Sequence, residues 1–193
     1  MCGGLGTRLE SDREKPLHPI CGTPMVERVL AALEGSRIER IYAAVSPHAP
    51  ATRAHLEREV DGSASILETP GEGYVADLTA ALESDALEPP VLTVAADLPL
   101  LASAAVDRLL ARHETGSTTV CVPVALKRRL GVSVDTTLSP HLAPTGVNVV
   151  GAPNTQDMTH VSYDSRLAIN VNRIEDTRVA ERHLTRQEGD ECA

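Results

Sequence analysis

Cys2-Gly3-Gly4-Leu5-Gly6-Thr7-Arg8, continued by Glu14-Lys15-Pro16, decides how this chain is read. Three glycines within four positions let the backbone turn tightly and bring its N–H groups against an anion. Thr7 adds a hydroxyl donor, and Arg8 and Lys15 add two positive charges. Such a loop can hold a nucleoside triphosphate and neutralise its phosphates during reaction. It is not a Walker A loop, because no Gly-Lys pair occurs anywhere in the chain. Nor is it G-x-G-x-x-G, since Leu9 stands where the third glycine belongs. A plain glycine-rich turn at a frayed terminus would explain the glycines, but not the Thr-Arg and the later Lys-Pro.

Working outward, Thr23-Pro24 followed by Met25, Val26, Val29, Leu30 and Leu33 predicts an N-capped helix with proline at its first position. Residues 38–46 predict a buried strand, 52–60 a polar helix, 64–68 a short strand and 73–82 a helix. The apolar run from Pro90 to Ala95 predicts a central parallel strand, with Asp97 just beyond it. Further helices are expected over 104–112 and 176–184, and strands over 117–125, 147–150 and 167–171. Residues 128–144 have poor periodicity and read as loops with a small hairpin over the site. The alternation implies an α/β fold: a mostly parallel central sheet flanked by helices, with right-handed crossovers. Ligands of such sheets sit outside the carboxyl ends of the strands. Both the glycine loop and Asp97 belong at that edge. One single domain, residues 1–193, is expected.

A phosphate loop of this kind should follow a buried strand, yet only Met1 and Cys2 precede the glycines. The first, central strand is therefore expected to be missing from the sequence, through a start codon placed several residues late. A gap near the middle of the sheet would result.

The formal charge of −9 argues against a broad nucleic-acid surface. Lysine occurs only at Lys15 and Lys127, against sixteen arginines. This acidic, lysine-poor composition resembles that of salt-loving archaea, in which carboxylates hold water and cations while brine screens their repulsion. No apolar run approaches the ~20 residues of a membrane span, and no leader is evident, so a cytoplasmic protein without a stable membrane anchor is expected. Cys2, Cys21, Cys121 and Cys192 are scattered and form no C-x-x-C pair.

Asp97, directly after an apolar strand, is costly to bury without a cation or donors. It suits a carboxylate that holds Mg²⁺ against a triphosphate; the alternative is a cap for the helix near Ser103 or a turn before Pro99. Gly71, Gly73 and Tyr74 follow a strand and open a helix, where two glycines permit close approach to a flat nucleobase. Glu72 and Asp77 are candidate acceptors for a guanine edge. Gly146 and Asn148 lead into a strand, beside a second substrate or in an ordinary turn. Asn170 and Asn172 are expected on one face of the last strand. Asn172 could join Asp97 on a metal or cap the final helix. His48 and His55 read as solvent-exposed. No nucleophile elbow stands out.

These residues resemble the nucleotidyltransferases that carry a GG-x-G-T-R signature followed by Lys-Pro, a superfamily that includes sugar-nucleotide pyrophosphorylases and molybdenum-cofactor guanylyltransferases. Ser46-Pro47, Gly71-Glu72-Gly73-Tyr74 and Gly146-Val147-Asn148-Val149-Val150 are more specific. With them the chain is similar to the archaeal GTP:adenosylcobinamide-phosphate guanylyltransferase family. The resemblance implies a Rossmann-like nucleotidyltransferase fold, GTP and a corrinoid phosphate as substrates, Mg²⁺ as cofactor and a possible homodimer. It implies that Gly3, Gly4, Gly6 and Thr7 hold the triphosphate, with Arg8, Lys15 and Asp97 as the catalytic groups. Gly71, Gly73 and Tyr74 would frame guanine, and Gly146 and Asn148 would face the acceptor. The competing expectations are a molybdenum-cofactor or sugar-phosphate nucleotidyltransferase, and a non-catalytic GTP-binding module.

Overall fold

In the computed structural model the described residues are all but 3–8, 10–12, 60–61, 153–155 and 192–193, with side chains described up to residue 186. A 3₁₀ turn, Lys15–Leu17, leads into a hairpin of β1 (Pro19–Ile20) and β2 (Thr23–Pro24). Its two-residue turn places Cys21 at φ 47° and Gly22 at φ 81°, the left-handed pair that a tight hairpin requires. Helix α1 (Met25–Glu34) follows, with Pro24 at its N-cap and no side-chain cap bond. The expected Thr23 cap is not made, because Thr23 pairs with Ile20 in the hairpin.

Then come β3 (Tyr42–Val45), α2 (Pro50–Glu59), β4 (Ser65–Glu68), α3 (Tyr74–Leu82) and β5 (Val91–Val94). The chain continues through α4 (Ser103–Arg112), β6 (Ser117–Pro123), α5 (Val124–Leu130) and β7 (Leu142–Val150). It closes with β8 (Asp157–Val161), α6 (Ser165–Ala168) and α7 (Ile174–Glu191).

Helices and strands alternate as expected. β3 and β4 pair in parallel, while β5, β7, β6 and β8 form a sheet in that order. β7 runs against both β5 and β6, and β8 lies parallel to β6, so β5, β6 and β8 share one direction. β5 was expected to have parallel neighbours; its strand partner is the antiparallel β7. The expected central gap lies between β3 and β5. Among the described residues, Met1 and Cys2 alone bridge these two edges: the Met1 amine donates to Val94 O at 3.0 Å, and Cys2 N donates to Ala44 O at 2.8 Å.

Two further expectations are corrected, and one strand is added. Residues 128–144 do not begin as a loop, because α5 runs to Leu130 and ends at Gly131 in the left-handed conformation. The predicted strand over 167–171 is instead α6 and the turn after it. Strand β8 was not anticipated; it is a short, mostly exposed edge strand without an apolar pattern.

Leu98, Val106, Val120, Val122, Val147 and Val149 centre the main core, which Val29 of α1 and Leu109 of α4 also join. A second cluster of Leu9, Ile20, Met25, Ile169, Val171 and Val179 fastens α7 to the hairpin. Among the described residues, no helix is long and apolar enough to cross a membrane.

Candidate active site

Beyond β5 the chain reaches Asp97, and three distant segments meet there. Pro16 is buried and anchors the 3₁₀ turn that presents Lys15. The Lys15 ammonium donates to Asp97 Oδ2 at 2.6 Å and to Asn172 Oδ1 at 2.7 Å. These contacts span sequence separations of 82 and 157 residues. The Lys15 and Asp97 side chains are 18% and 15% exposed, so solvent screens this pair only in part. Asn170 donates to the other Asp97 oxygen at 3.1 Å and to Thr145 O at 2.7 Å. Val171 N donates to Asp97 O at 2.9 Å, tying the two loops together.

Behind Asn170 lies Lys127, buried in α5. Its ammonium donates to Asn170 Oδ1 at 2.9 Å and to Ala168 O at 2.8 Å. Burial pushes this ammonium below the ordinary lysine range, while the Asp97, Asp176 and Asp135 carboxylates oppose the shift. Both lysines of the chain therefore converge on Asp97, one directly and one through an amide. Asp176 completes the frame: its Oδ2 accepts from Asn172 N and Arg173 N, both at 3.0 Å, and its carboxylate also accepts from Ser133. An acid in the first turn reaching back to the residues before the helix is the logic of a capping box. Asn172 is thus not the cap of α7, since its side-chain oxygen faces Lys15.

Glu14 fixes the other flank. Its carboxylate accepts from Ala51 N at 2.9 Å and Thr52 N at 2.7 Å, at the start of α2. An acidic group at a helix N-terminus satisfies free amides and complements the dipole.

The oxygens of Asp97 and Asn172 already share one cation, the Lys15 ammonium. They are hard donors within reach of a single centre, and so they fit Mg²⁺, which takes one or two protein oxygens and leaves its other positions to water and phosphate. Among the described residues, no group of three or more His, Cys, Asp or Glu could hold a metal.

Lys15, Asp97, Gly71, Gly73, Tyr74 and Asp77 line one cavity of about 340 Å³. Two blocks singled out separately in the sequence thus share a wall. Gly71 has φ 77°, and a Cβ there would lie 2.9 Å from His48 Cδ2. Asp77 is buried, with its Oδ1 accepting from Gly71 N at 2.6 Å, so it holds the turn instead of offering a free base acceptor. Glu72 is exposed. Asn148 donates to Tyr74 Oη at 3.1 Å, which joins β7 to the start of α3.

Gly146 has φ 83°, and a Cβ there would stand 2.8 Å from Ala95 Cβ. The close approach it permits is between β7 and β5, not to an open ligand surface. His48 is exposed, but His55 is not: its Nε2 lies 2.7 Å from Glu27 Oε1. Asp97 does not cap α4, whose N-cap is Ala102. Gly3, Gly4, Gly6, Thr7 and Arg8 lie outside the described residues.

Reading the sequence missed Lys127, Glu14 and Asp176. The one available signal for Lys127 was the scarcity of lysine. For Asp176 it was the acid three residues after Arg173 at a helix start.

The chain is also similar to known proteins. The profile of the MobA-like NTP transferase domain matches residues 1–190. The chain is 27% identical to the adenosylcobinamide-phosphate guanylyltransferase of Methanocaldococcus jannaschii, over 94% of this chain and 93% of that protein. It is 33% identical to the bifunctional protein GlmU of Rubrobacter xylanophilus, over 65% of this chain but 26% of that one. Among solved structures, a putative glucose-1-phosphate thymidylyltransferase from Bacillus anthracis superposes with a TM-score of 0.66 at 13% identity, covering 94% of this chain and 92% of that chain. A CMP:2-keto-3-deoxy-manno-octonic acid synthetase complexed with CTP gives 0.63, also at 13% identity, covering 94% and 96%. At such identities these two speak for the fold alone. With its sheet-edge site and a profile match along nearly its whole length, the chain belongs to the MobA-like NTP transferase domain family and is a nucleotidyltransferase.

Proposed function

We propose that this enzyme transfers GMP from GTP to adenosylcobinamide phosphate, releasing pyrophosphate. One observation carries the acceptor: the guanylyltransferase of M. jannaschii is matched over 93% of its length, whereas GlmU is matched over 26% of its length. The site supports the chemistry. Among the described residues it offers cations, amides and one carboxylate that points at a cation, with no base–nucleophile pair.

The acceptor phosphate is already an anion near neutral pH, since a phosphate monoester has its second pKa near ~6. One of its oxygens attacks the α-phosphorus of GTP. The new P–O bond forms as the bond to the β-phosphate bridging oxygen breaks, and the electron pair leaves with pyrophosphate. No proton has to be removed first. Catalysis then reduces to alignment and to neutralising charge. Lys15, already poised at the cavity, turns its ammonium from Asp97 to the phosphates. Asp97 and Asn172 would hold Mg²⁺, which supplies further neutralisation of the triphosphate. Gly71, Gly73 and Tyr74 receive the guanine, and Asn148, fixed by Tyr74, lies toward the acceptor. Gly3, Gly4, Gly6, Thr7 and Arg8 are assigned to the triphosphate.

Pyrophosphate release measured with GTP and, in turn, adenosylcobinamide phosphate, a molybdopterin and a sugar phosphate tests the assignment. Release is expected with the corrinoid alone. Release with another acceptor would move the enzyme elsewhere in the superfamily. Tight GTP binding without release for any acceptor would make it a binding module.

A further inference from the structure

Different groups hold the two carboxylate oxygens of Asp97. Oδ2 accepts from Lys15, and Oδ1 accepts from Asn170 Nδ2 at 3.1 Å. When Lys15 turns to the phosphates, its hold on Oδ2 is released. Among the described residues, the side-chain hydrogen bond that then remains on the carboxylate is the one from Asn170. The aim of Asp97 during the reaction therefore depends on how the Asn170 amide is itself fixed.

That amide has two orientations, and one of them suits its surroundings. Nδ2 donates to Asp97 Oδ1 and to Thr145 O, while Oδ1 accepts from the Lys127 ammonium at 2.9 Å. Turned over, the amide would set its oxygen against two acceptors and its NH₂ against an ammonium, which can only donate. Lys127 thus opposes the flip from behind while Thr145 O and Asp97 oppose it from in front. The ammonium is anchored in turn, since it also donates to Ala168 O at 2.8 Å and is buried with Asn170. Unlike Lys15, it has no path to the phosphates that does not break both bonds.

We propose that Lys127 is a positioning residue of the transfer reaction: acting through Asn170, it keeps Asp97 Oδ2 turned toward the cavity, and it stays as a fixed positive charge behind the carboxylate when Lys15 moves. This rests on the catalytic role given to Asp97 and not on the identity of the acceptor. A group that orients a functional side chain from behind typically changes activity about 10–100-fold when it is removed.

Pyrophosphate release with GTP, and with the acceptor that supports it in the parent, separates this role from one in packing alone. For Lys127→Met, assayed well below its unfolding temperature, kcat should fall about 10–100-fold while KM for GTP stays within about threefold. In an Asn170→Ala background, adding Lys127→Met should cost less than about twofold more, because the relay is already broken. Parental kcat in Lys127→Met, or a full additional loss in that background, overturns the proposal. Asp97→Asn distinguishes the two levels of the argument. Parental turnover in Asp97→Asn overturns the reading of the site together with this inference, whereas loss there and none in Lys127→Met overturns this inference alone. Should Lys127→Met not fold, or no acceptor support release, ¹⁵N-lysine labelling decides without substrate. Lys15 and Lys127 are the lysines of the chain, so Lys15→Ala leaves one ammonium signal. It should persist near neutral pH, where the protons of an exposed ammonium exchange too fast to be seen, and it should move on Asn170→Ala. A signal lost to exchange, or indifferent to Asn170→Ala, overturns the proposal.

Discussion

Lys127 brings a charge to a place where only its partners make it tolerable. Its ammonium holds Asn170, and Asn170 holds the Asp97 carboxylate. Replacing Lys127 with methionine keeps most of the stem and removes the donor. Asn170 Oδ1 and Ala168 O then lose a buried partner, which costs about 1–3 kcal/mol for each unsatisfied group. Urea unfolding of Lys127→Met should show a midpoint lowered to match, and an unchanged midpoint would contradict the role. Lys15 was legible because the Lys-Pro pair stands beside a glycine loop. Lys127 was not: it sits in Leu126-Lys127-Arg128-Arg129, which reads as a solvated basic stretch. Only the packing of α5 buries it. Asn170 and Asn172 were expected together for a strand's alternation. They do converge, but from a turn after α6, so that expectation held for a different physical reason.

At the scale of elements, the junction of β5 and β7 depends on one glycine. Gly146→Ala adds a Cβ at a left-handed φ and 2.8 Å from Ala95 Cβ. Strain and overpacking together should cost about 1–3 kcal/mol, read as a lower Tm. A Tm equal to the parent's would show that the two strands can part freely.

The docking of α7 supplies a pH dependence. His18 is buried, with Nε2 3.1 Å from Thr177 Oγ1 and, among the described residues, no hydrogen-bond partner for Nδ1. Burial lowers its pKa below the usual histidine value, the Glu181 carboxylate opposes that, and Arg13 adds to it. The unfolded chain therefore binds this proton more readily. Stability is full above pH ~6.5 and falls as the pH drops from there through the lower folded value. Between pH 7.5 and 5.5 the parent should lose more Tm than His18→Gln, and equal losses would exclude this contribution. Helices with clean apolar spacing were legible. Helix α5 was not, because it follows a β-branched strand with no intervening turn residues. Its signals were Pro123 at the N-cap, the basic last turn and Gly131, the left-handed stop.

Over the whole molecule, a formal charge of −9 sets up self-repulsion that salt should screen. Raising KCl from 0.1 M to 2 M, on the order of a Debye length shrinking from ~10 to ~2 Å, is expected to raise Tm. A flat or falling Tm would assign the composition to codon usage. The alternation of elements made the layers legible. The reversal of β7 was not, since direction within a sheet is set by tertiary pairing and leaves no local signature. Asp97, Lys15 and Asn172 meet only because the whole chain brings them together. Lys15→Ala therefore tests the account most directly, with pyrophosphate release followed under saturating GTP and acceptor. Turnover should fall about a hundredfold or more, the ~2.7–4 kcal/mol of a lost transition-state donor. Turnover within about twofold of the parent would contradict it.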